Sequence, residues 1–384
     1  MQLVLNEFFK KLGGAVITVT ASAFTQSRSK LLHTGFIELN QKAIVQTCYE
    51  DGDYRKYRGF RLLAIDGSKV RLPDEPEICK TFGTIRISNQ HKKTEGEYPA
   101  AVASVLYDVL NNVALDSILA PAKAYEVDLA IEHLDFIGDN DLVLFDRGYI
   151  SYIFLASLIQ KGADFLGRCS QSSFKEARRM FRQNISSTVV TLLCPAKKKK
   201  EAQSLGLPSK IKVRFVRVIL DNGEVEVLVT SLLDEAEYPV EEFKKLYFMR
   251  WGVETFYGII KGRLNLENFT GKTVESVRQD FYATIFISGL ESLLTEDAQE
   301  KLDEKSSSNK HPQAVNKAVS FNTIKNYVIE LFFQEEDRDI ILERLTELFM
   351  TNPVCVRKNR QVERKDSSAK ILLNYHKRIK KICF

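Results

Sequence analysis

The segment RLLAID, residues 61–66, is a short apolar run that ends in an acidic residue, a pattern typical of a strand. Three further strand-like runs follow it along the chain: VRL (70–72), AVASVLYDVL (101–110) and NVALDSIL (112–119). The pair Asn111-Asn112 between the last two runs is typical of a turn. A succession of strands therefore begins near residue 60.

The hydrophobic period then changes. Residues 124–135 have helical periodicity, and LVLFD (142–146) is an apolar run of the length expected for a fully buried strand. Several strands, a helix and a buried strand are typical of a mixed sheet with helices packed on it. We therefore predict an α/β fold with a mixed-sheet core.

Residues 168–235 depart from this order of strands and helices. FKEARRMFR (174–182) is a basic, helix-like stretch, and a lysine run occupies Lys197 to Lys200. Two alternating segments, IKVRFVRVIL and EVEVLVTSLL, flank Asp221-Asn222-Gly223, which is a strong hairpin signal. The pattern predicts a β-rich insertion with a basic rim.

Helical patterns flank the core. The sequence predicts a helical N-terminal region over residues 1–55, a core over 56–275 and a helical region with a basic tail over 276–384. Within the first region, Gln26, Arg28 and Lys30 suit a helix that lies against DNA, although a generic helical cap domain fits almost as well. We assign DNA binding to residues 1–55 as an expectation.

Composition excludes several classes of protein. The 384 residues are 44% hydrophobic and 27% charged, and no apolar run approaches the roughly 18 residues of a membrane span. The N-terminus lacks the pattern of a secretory signal, and the six cysteines show no zinc-ligand spacing. These features predict a soluble cytoplasmic protein with reduced cysteines and no membrane partner.

Charge is concentrated at the C-terminus. Residues 352–384 hold ten Lys or Arg against Glu363 and Asp366, so this segment is +8 while the whole chain is +5, and the remainder is 5 − 8 = −3. A basic tail on a near-neutral body is typical of a protein that binds a polyanion such as nucleic acid. A solvated tail that aids solubility is the alternative.

Two aspartates end apolar strand-like runs: Asp66 in LLAIDGS and Asp146 in LVLFDRGY. Side chains at such positions emerge at a sheet edge, where carboxylates are well placed to bind metal. Ordinary turn chemistry explains a single aspartate equally well.

The predicted helix from about Val240 to Arg263 carries a polar stripe. In YFMRWGVETFYGIIK (247–261), the polar residues lie within roughly 60° of one another at about 100° per residue. They are Tyr247, Arg250, Glu254 and Lys261. One carboxylate between two cations and a phenol suits a metal-bound phosphodiester, with Glu254 on the metal and the others on phosphate oxygens.

Asp66, Asp146 and Glu254 together make an oxygen-only donor set, which Mg²⁺ prefers. Two such ions activate an attacking oxygen and stabilise the leaving one in a displacement at phosphorus. A serine hydrolase is less supported because G-x-S-x-G is missing, and neither a P-loop nor G-x-G-x-x-G occurs. His133 and the histidines at 91, 311 and 376 show no partner pattern and are predicted to be structural or solvated.

The contexts AIDGSKVRLPD and FDRGYIS, followed by Y-x2-R-x3-E-x6-K, resemble the DDE transposases of bacterial insertion sequences, specifically the insertion-sequence-four family. The four-residue signature matches in full, and YPAAVASVLYDVLNNVALD is also similar to that family's core. The resemblance covers most of residues 20–275 and continues weakly beyond them. It implies a ribonuclease H-like catalytic core with the β-rich insertion between the second aspartate and the glutamate.

The resemblance also implies a reaction and its residues. Members hydrolyse element DNA at both ends and use the freed 3′ hydroxyl in cut-and-paste transposition through a hairpin. By position, the catalytic metal ligands would be Asp66, Asp146 and Glu254, holding two Mg²⁺ ions with Mn²⁺ able to substitute. The residues that bind DNA phosphates would be Tyr247, Arg250 and Lys261. The partners would be double-stranded DNA, as terminal inverted repeats and target, and a second copy forming a homodimer on DNA in the nucleoid of a bacterial cytoplasm.

One feature departs from the family. Well-understood relatives use a tryptophan of the β-insertion to stack on a base flipped out during hairpin formation, whereas the only tryptophan here is Trp251, in the signature segment. Phe174, Phe181 or Phe215 could take its place. Two other functions stay open: a non-catalytic or decayed DNA-binding protein, and a plain metal-dependent nuclease on the same core.

Overall fold

The structure is a computed structural model that describes residues 2–12, 19–89, 94–333 and 337–357, without the side chains of residues 88, 89, 94 and 95. Most of the predicted basic tail lies outside the described residues. The chain divides into two compact units. The sheet unit comprises Cys48–Arg71 and Ala100–Gly258, and the helical unit comprises Met1–Thr47, Leu72–Pro99 and Ile259–Phe384.

The described helices are, in chain order, α1 (Gln2–Lys11), α2 (Ala21–Arg28), α3 (Thr34–Leu39), α4 (Gln46–Glu50), α5 (Pro76–Phe82), α6 (Glu126–Glu132), α7 (Tyr152–Gln160), α8 (Lys175–Arg182), α9 (Lys199–Ser204), α10 (Val240–Phe248), α11 (Trp251–Gly262), α12 (Val274–Leu294), α13 (Glu296–Ser306), α14 (Lys317–Phe333) and α15 (Arg338–Met350). A π-helical turn, Asn40–Val45, joins α3 to α4.

The described strands are β1 (Arg61–Arg71), β2 (Thr84–Asn89), β3 (Thr94–Asp108), β4 (Val113–Pro121), β5 (Asp141–Phe145), β6 (Asp164–Cys169), β7 (Ser187–Leu193), β8 (Lys210–Ile219), β9 (Val225–Thr230), β10 (Gln313–Ala314) and β11 (Val354–Cys355).

The sheet unit has the strand order of a ribonuclease H-like core. Strands β4, β3 and β1 are antiparallel neighbours, and β1, β5 and β6 are parallel neighbours. The chain reaches β5 from β4 through α6, and β5 then pairs in parallel with β1. The predicted mixed-sheet α/β fold is therefore confirmed.

Strand β1 is longer than predicted. The sequence suggested two runs, 61–66 and 70–72, but one strand spans Arg61–Arg71. Gly67 and Ser68 stay extended because they pair with Ser104 and Ala103 of β3. Pairing with a neighbouring strand thus overrides a local sequence that reads as a turn.

The β-rich insertion extends the main sheet. Its predicted hairpin is strands β8 and β9, with Gly223 in the turn at φ +84°. β9 pairs with β6 on one side and β8 on the other, and β7 forms the next strand. The insertion is consequently attached by backbone hydrogen bonds to the strand that follows the second aspartate.

The sheet unit has a continuous apolar core. The residues of β5 are all buried, and Phe145, Phe154 and Phe165 meet there with ring centroids 5.2 and 6.2 Å apart. Burying a side chain of this size contributes about 1.5–3 kcal/mol. This core fixes the strand ends from which the candidate site residues emerge.

In the helical unit, α12 contacts the N-terminal helices. Arg28 of α2 forms a 2.8 Å ion pair with Asp280 of α12, and a methyl group on Gly289 would lie only 2.6 Å from Ile44. A second cluster joins α13, α14 and α15 through buried residues such as Leu302, Ile324 and Leu345. Within the described residues, no helix combines the length and apolar character needed to span a membrane.

Candidate active site

Two parallel strands bring Asp66 and Asp146 side by side. Ile65 of β1 lies opposite Phe145 of β5. Asp66 directly follows Ile65, and Asp146 directly follows Phe145. Neighbouring strands lie about 4.8 Å apart, and residues at the same level point to the same face of the sheet. The structure therefore brings together the two carboxylates that the sequence identified separately.

Asp66 has an unusual proton affinity. The pKa of Asp66 is raised to about 6, mainly by burial; Arg250 acts to lower this pKa, and the charges of Glu254 and Glu126 act to raise it. The backbone N–H of Gly67 also stabilises the ionised carboxylate. A carboxylate that titrates near neutral pH releases its proton when it binds a cation, so affinity for metal there depends on pH.

Asp146 is held by a bidentate ion pair. Arg168 of β6 donates from Nε and Nη2 to the two oxygens of Asp146 at 2.7 and 3.0 Å, and from Nη1 to Glu226 of β9 at 2.7 Å. Burial acts to raise the pKa of Asp146, but the hydrogen bonds from Arg168 and from the backbone of Arg147 hold that pKa below its ordinary value. Asp146 is thus ionised at neutral pH and linked to the insertion through Arg168.

The signature segment is two helices, not the single helix predicted over about 240–263. α10 ends before Met249 and α11 begins after Arg250. The backbone N–H groups of Met249 and Arg250 bond three residues back, at 3.1 Å each, which is the tighter pattern of a 3₁₀ turn. The predicted polar stripe assumed a rotation of about 100° per residue along one continuous helix, and this assumption does not hold across Met249 and Arg250.

A close approach accompanies the break. A methyl group on Gly252 would lie 3.0 Å from Cβ of Val109, so glycine allows α11 to begin against the end of β3. One turn past Glu254, the Tyr257 hydroxyl donates to the carbonyl oxygens of Asp66 and Ala103 at 2.9 and 2.8 Å. These contacts fix the start of α11, and with it Glu254, beside β1.

Arg250 lies among the three carboxylates. It is 3% exposed and donates from Nη2 to Glu254 at 2.8 Å. Burial acts to lower the pKa of Arg250, but Tyr247, the bond to Glu254 and the charges of Asp146 and Asp66 raise it. Its Nε has no hydrogen-bond partner within the described part of the chain. The site therefore holds a buried cation that is only partly satisfied.

The other two predicted phosphate-binding residues lie on different helices. Tyr247 of α10 is buried, and its hydroxyl lies 3.4 Å from the carbonyl oxygen of Phe145 and 3.5 Å from Oδ1 of Asp146. Lys261 is in the last turn of α11, about two turns beyond Glu254. The structure thus places Tyr247 and Arg250 at the aspartates, and the role of Lys261 stays a prediction.

The residues fit a divalent cation by donor chemistry. Among the described residues, no group of three or more acidic, histidine or cysteine side chains has the arrangement of a ready-made metal site. Instead Arg168 pairs with Asp146 and Arg250 with Glu254. Carboxylate oxygens that already surround a cation are the donors that hard ions such as Mg²⁺ prefer.

Sequence analysis missed two charged residues at this site, Arg168 and Glu126. Arg168 lies inside β6, and Glu126 is the first residue of α6, separated from the end of β4 by residues 122–125. Neither directly follows an apolar run as the two aspartates do, so that signal could not have found them. A charged residue near a strand is too common to single out without the fold.

A second polar chain lies in the same unit. Ser104 Oγ is 2.9 Å from His133 Nε2, and His133 Nδ1 is 2.6 Å from Asp116. We call these three residues the Ser104 chain. The spacing resembles a catalytic triad, but Ser104 and His133 are 1% and 0% exposed, so a substrate has no access. The Ser104 chain is structural, in agreement with the prediction that His133 is structural or solvated, and the partners of His133 show no pattern in the sequence because they are distant along it.

The candidate stacking residues differ in access. Phe215 is fully buried and packs edge to face on Phe174 at 5.6 Å, so it cannot stack on a base. Phe174 and Phe181 are partly buried against the same core. Trp251 is 44% exposed at the helix break, with the Arg250 guanidinium 5.5 Å from its ring centroid.

Comparisons with known proteins agree on one family. Residues 57–290 match the family model described as a transposase DDE domain. The chain is 25% identical over 75% of its length to the transposase InsG for insertion sequence element IS4 of Escherichia coli (strain K12), of which the match covers 64%. It is 33% identical over 28% of its length to InsZ of the same strain, of which 35% is covered. The chain thus spans between about one third and just under two thirds of these relatives.

Among solved structures, the chain is similar to the piggyBac transposase in a synaptic complex with hairpin DNA. The TM-score is 0.43 at 9% sequence identity, over 75% of this chain and 57% of that one.

Proposed function

The chain belongs to the family of transposases with a DDE domain, and from this membership we propose that it cuts the ends of a mobile DNA element and joins them to target DNA. Asp66, Asp146 and Glu254 are proposed as the catalytic carboxylates, holding two Mg²⁺ or Mn²⁺ ions. Tyr247, Arg250 and Lys261 are proposed to bind phosphates of the cleaved end. The DNA complex is proposed to contain two copies of the chain, in the nucleoid of a bacterial cell.

One observation supports the proposal most: a single buried arginine, Arg250, interacts with carboxylates on β1, directly after β5 and on α11. Asp66 and Asp146 follow paired residues of parallel strands, and Glu254 is joined to Arg250 at 2.8 Å. The charges of Asp66 and Asp146 also interact with Arg250, since both raise its pKa. Clustered carboxylates destabilise one another, and a divalent ion relieves that repulsion better than one guanidinium does.

Bound divalent ions would supply activation of a water and stabilisation of the oxygen that leaves phosphorus. Asp66 and Asp146 would hold a bound ion, and Glu254 would be the third ligand once Arg250 released it and paired with a phosphate instead. The Arg250 guanidinium then donates to non-bridging phosphate oxygens, for which its planar fork is suited. Tyr247 supports Asp146 from α10, because its hydroxyl lies 3.5 Å from that carboxylate.

The proposed reaction has two kinds of step at phosphorus. Water first attacks the phosphodiester at the element end, the bond to the 3′ oxygen breaks, and that oxygen takes up a proton. The new 3′ hydroxyl then attacks the opposite strand, which forms a hairpin and releases the flanking DNA. A second hydrolysis opens the hairpin, and the same hydroxyl finally attacks target DNA.

The test is a cleavage and strand-transfer assay on end-labelled DNA carrying the element ends, with the full chain and Mg²⁺. We expect metal-dependent nicks with 3′ hydroxyls, then hairpins and joined products, all lost in Glu254→Gln. Glu241→Gln, an exposed glutamate at the start of α10, is the matched control and should cut normally. Nicking without joining would indicate the plain nuclease, and binding without cutting by any divalent ion would overturn the proposal.

A further inference from the structure

Two glycines beside the catalytic aspartates make room for another carboxylate. A methyl group on Gly148 would lie 2.6 Å from Oε2 of Glu126, and one on Gly67 would lie 3.6 Å from Oε1. Gly67 follows Asp66 on β1, and Gly148 lies in the turn that follows Asp146. The Glu126 carboxylate therefore lies between the two segments that carry the aspartates, and its charge acts on Asp66.

A buried hydroxyl points to the same place. Tyr149 is 2% exposed, and its hydroxyl has no hydrogen-bond partner among the described residues. That hydroxyl would lie 3.3 Å from a methyl group on Gly67, and Oε1 of Glu126 would lie 3.6 Å from the same methyl group. Buried hydroxyls are nearly always paired, so an orphan here indicates a ligand or a ligand-bound water that completes the site.

The position of Glu126 in its helix does not account for its conformation. Acidic residues are favoured in the first turn of a helix, and Asp128 also occupies that turn of α6. Glu126 instead extends both oxygens to the glycines. A cavity of about 270 Å³, lined by Gly67, Lys69 and Glu126 among others, adjoins Glu126 but is not lined by Asp146 or Tyr149.

We propose that Glu126 supplies a fourth carboxylate to the divalent-ion site at Asp66, and that the Tyr149 hydroxyl pairs with a water held there. The inference rests on the proposed function, since it assumes that Asp66 binds a divalent ion. It assigns Glu126 to the metal rather than to DNA, because a carboxylate repels phosphate. Mg²⁺ commonly keeps several waters, which gives the orphan hydroxyl a partner.

The test is Mn²⁺ binding to the full chain without DNA, measured by the electron paramagnetic resonance signal of free Mn²⁺. We expect Glu126→Gln to weaken the affinity by about tenfold or more, and Tyr149→Phe to weaken it less. Glu132→Gln, an exposed glutamate at the end of the same helix, is the control and should bind as wild type does. Glu126→Asp, which keeps the charge on a shorter side chain, should fall between wild type and Glu126→Gln.

Wild-type Mn²⁺ affinity in both Glu126 variants would overturn the inference, whatever their cleavage rates. That result would leave the proposed function intact if Asp66→Asn still abolished Mn²⁺ binding and cleavage. If Asp66→Asn bound Mn²⁺ and cut DNA like wild type, the proposed function would fail independently of Glu126.

Discussion

Two polar clusters lie close together in the sheet unit: the carboxylate site of Asp66, Asp146 and Glu254, and the Ser104 chain. They differ in how fully their polar groups are hydrogen-bonded and in how exposed they are. Ser104 is paired in register with Gly67, the residue after Asp66. Ser104 and His133 are buried, and hydrogen bonds join all three members of their chain. At the carboxylate site, the side chains of Asp146 and Glu254 are 29% and 26% exposed.

Solvent access and hydrogen bonding together distinguish a structural polar cluster from one that is suited to catalysis. Hydrogen-bond geometry alone would select the Ser104 chain, whose distances match a catalytic triad. Access and incomplete pairing select the carboxylate site, where the Tyr149 hydroxyl and Arg250 Nε have no partners among the described residues. A closed, satisfied network stabilises a fold, whereas an open and unsatisfied one is ready to bind.

The largest expected effect is on the rate of DNA cleavage, which should depend on the carboxylate site but not on the Ser104 chain. Asp146→Asn should lower DNA cleavage by roughly 10³-fold or more, since Asp146 is proposed as a metal ligand and the loss of such a ligand removes several kcal/mol of transition-state stabilisation. Asp116→Asn, the same change in the Ser104 chain, should leave cleavage per folded molecule within about twofold. Single-turnover rates at saturating enzyme measure both. Equal losses in the two variants would contradict the distinction.

Stability should show the reverse order. His133→Ala removes a fully buried ring and leaves Ser104 and Asp116 without partners, so we expect a loss of about 3 kcal/mol in the free energy of unfolding. Urea denaturation followed by circular dichroism measures this loss. His311→Ala, a histidine of the partly buried segment before β10, should change stability by less than about 0.5 kcal/mol.

A smaller effect tests the tether between α11 and the strands. Tyr257→Phe removes the hydroxyl that bonds to the carbonyl oxygens of Asp66 and Ala103, and should cost about 1–3 kcal/mol of stability. Because the tether fixes Glu254 beside β1, Mn²⁺ affinity should fall as well. An unchanged Mn²⁺ affinity in the folded variant would show that α11 is held in place without this contact.

The smallest effect is a pH dependence of stability. The folded pKa of Asp66, about 6, exceeds the ordinary value of 3.8, so between these values the folded state binds more protons than the unfolded state. The protonated Asp66 side chain therefore favours the folded state. This contribution to the free energy of unfolding is fully present below about pH 4 and is lost as the pH rises through about 6. Asp66→Asn should therefore be more stable than wild type by about 1–2 kcal/mol at pH 7 and lose this advantage near pH 4.

Thermal melts across this pH range test the sign of the difference. The exposed Asp53→Asn variant is the control for the same chemical change elsewhere, on the protein surface. A stability advantage of Asp66→Asn that grew on acidification would contradict the raised pKa of Asp66.

Local sequence was sufficient to predict the elements that depend on near neighbours. The run LVLFD became β5, Asp221-Asn222-Gly223 became the turn between β8 and β9, and Asn112 adopts φ 57° in the turn before β4. Apolar runs of strand length and turn residues carry this information within a few positions. The three carboxylates could also be selected, because each follows or lies within a distinctive pattern.

Contacts between distant residues could not be predicted in this way. Arg168 reaches Asp146 across parallel strands, and the break at Met249 is accompanied by the close approach of Gly252 to Val109. Ser104 and His133 are joined only because α6 and the turn after it pack back on the sheet. Such pairs have no spacing rule in the sequence, so they require the fold to be known.

The most direct test of the account maps the metal by iron-mediated cleavage of the protein itself. Fe²⁺ bound in place of Mg²⁺ generates hydroxyl radicals with ascorbate and peroxide, and these cut the backbone next to the ion. Cuts are expected near residues 66, 146 and 254, and both excess Mg²⁺ and Asp146→Asn should remove them. Cuts elsewhere, or cuts at these positions that persist in excess Mg²⁺ and in Asp146→Asn, would contradict the claim that the three carboxylates form one metal site.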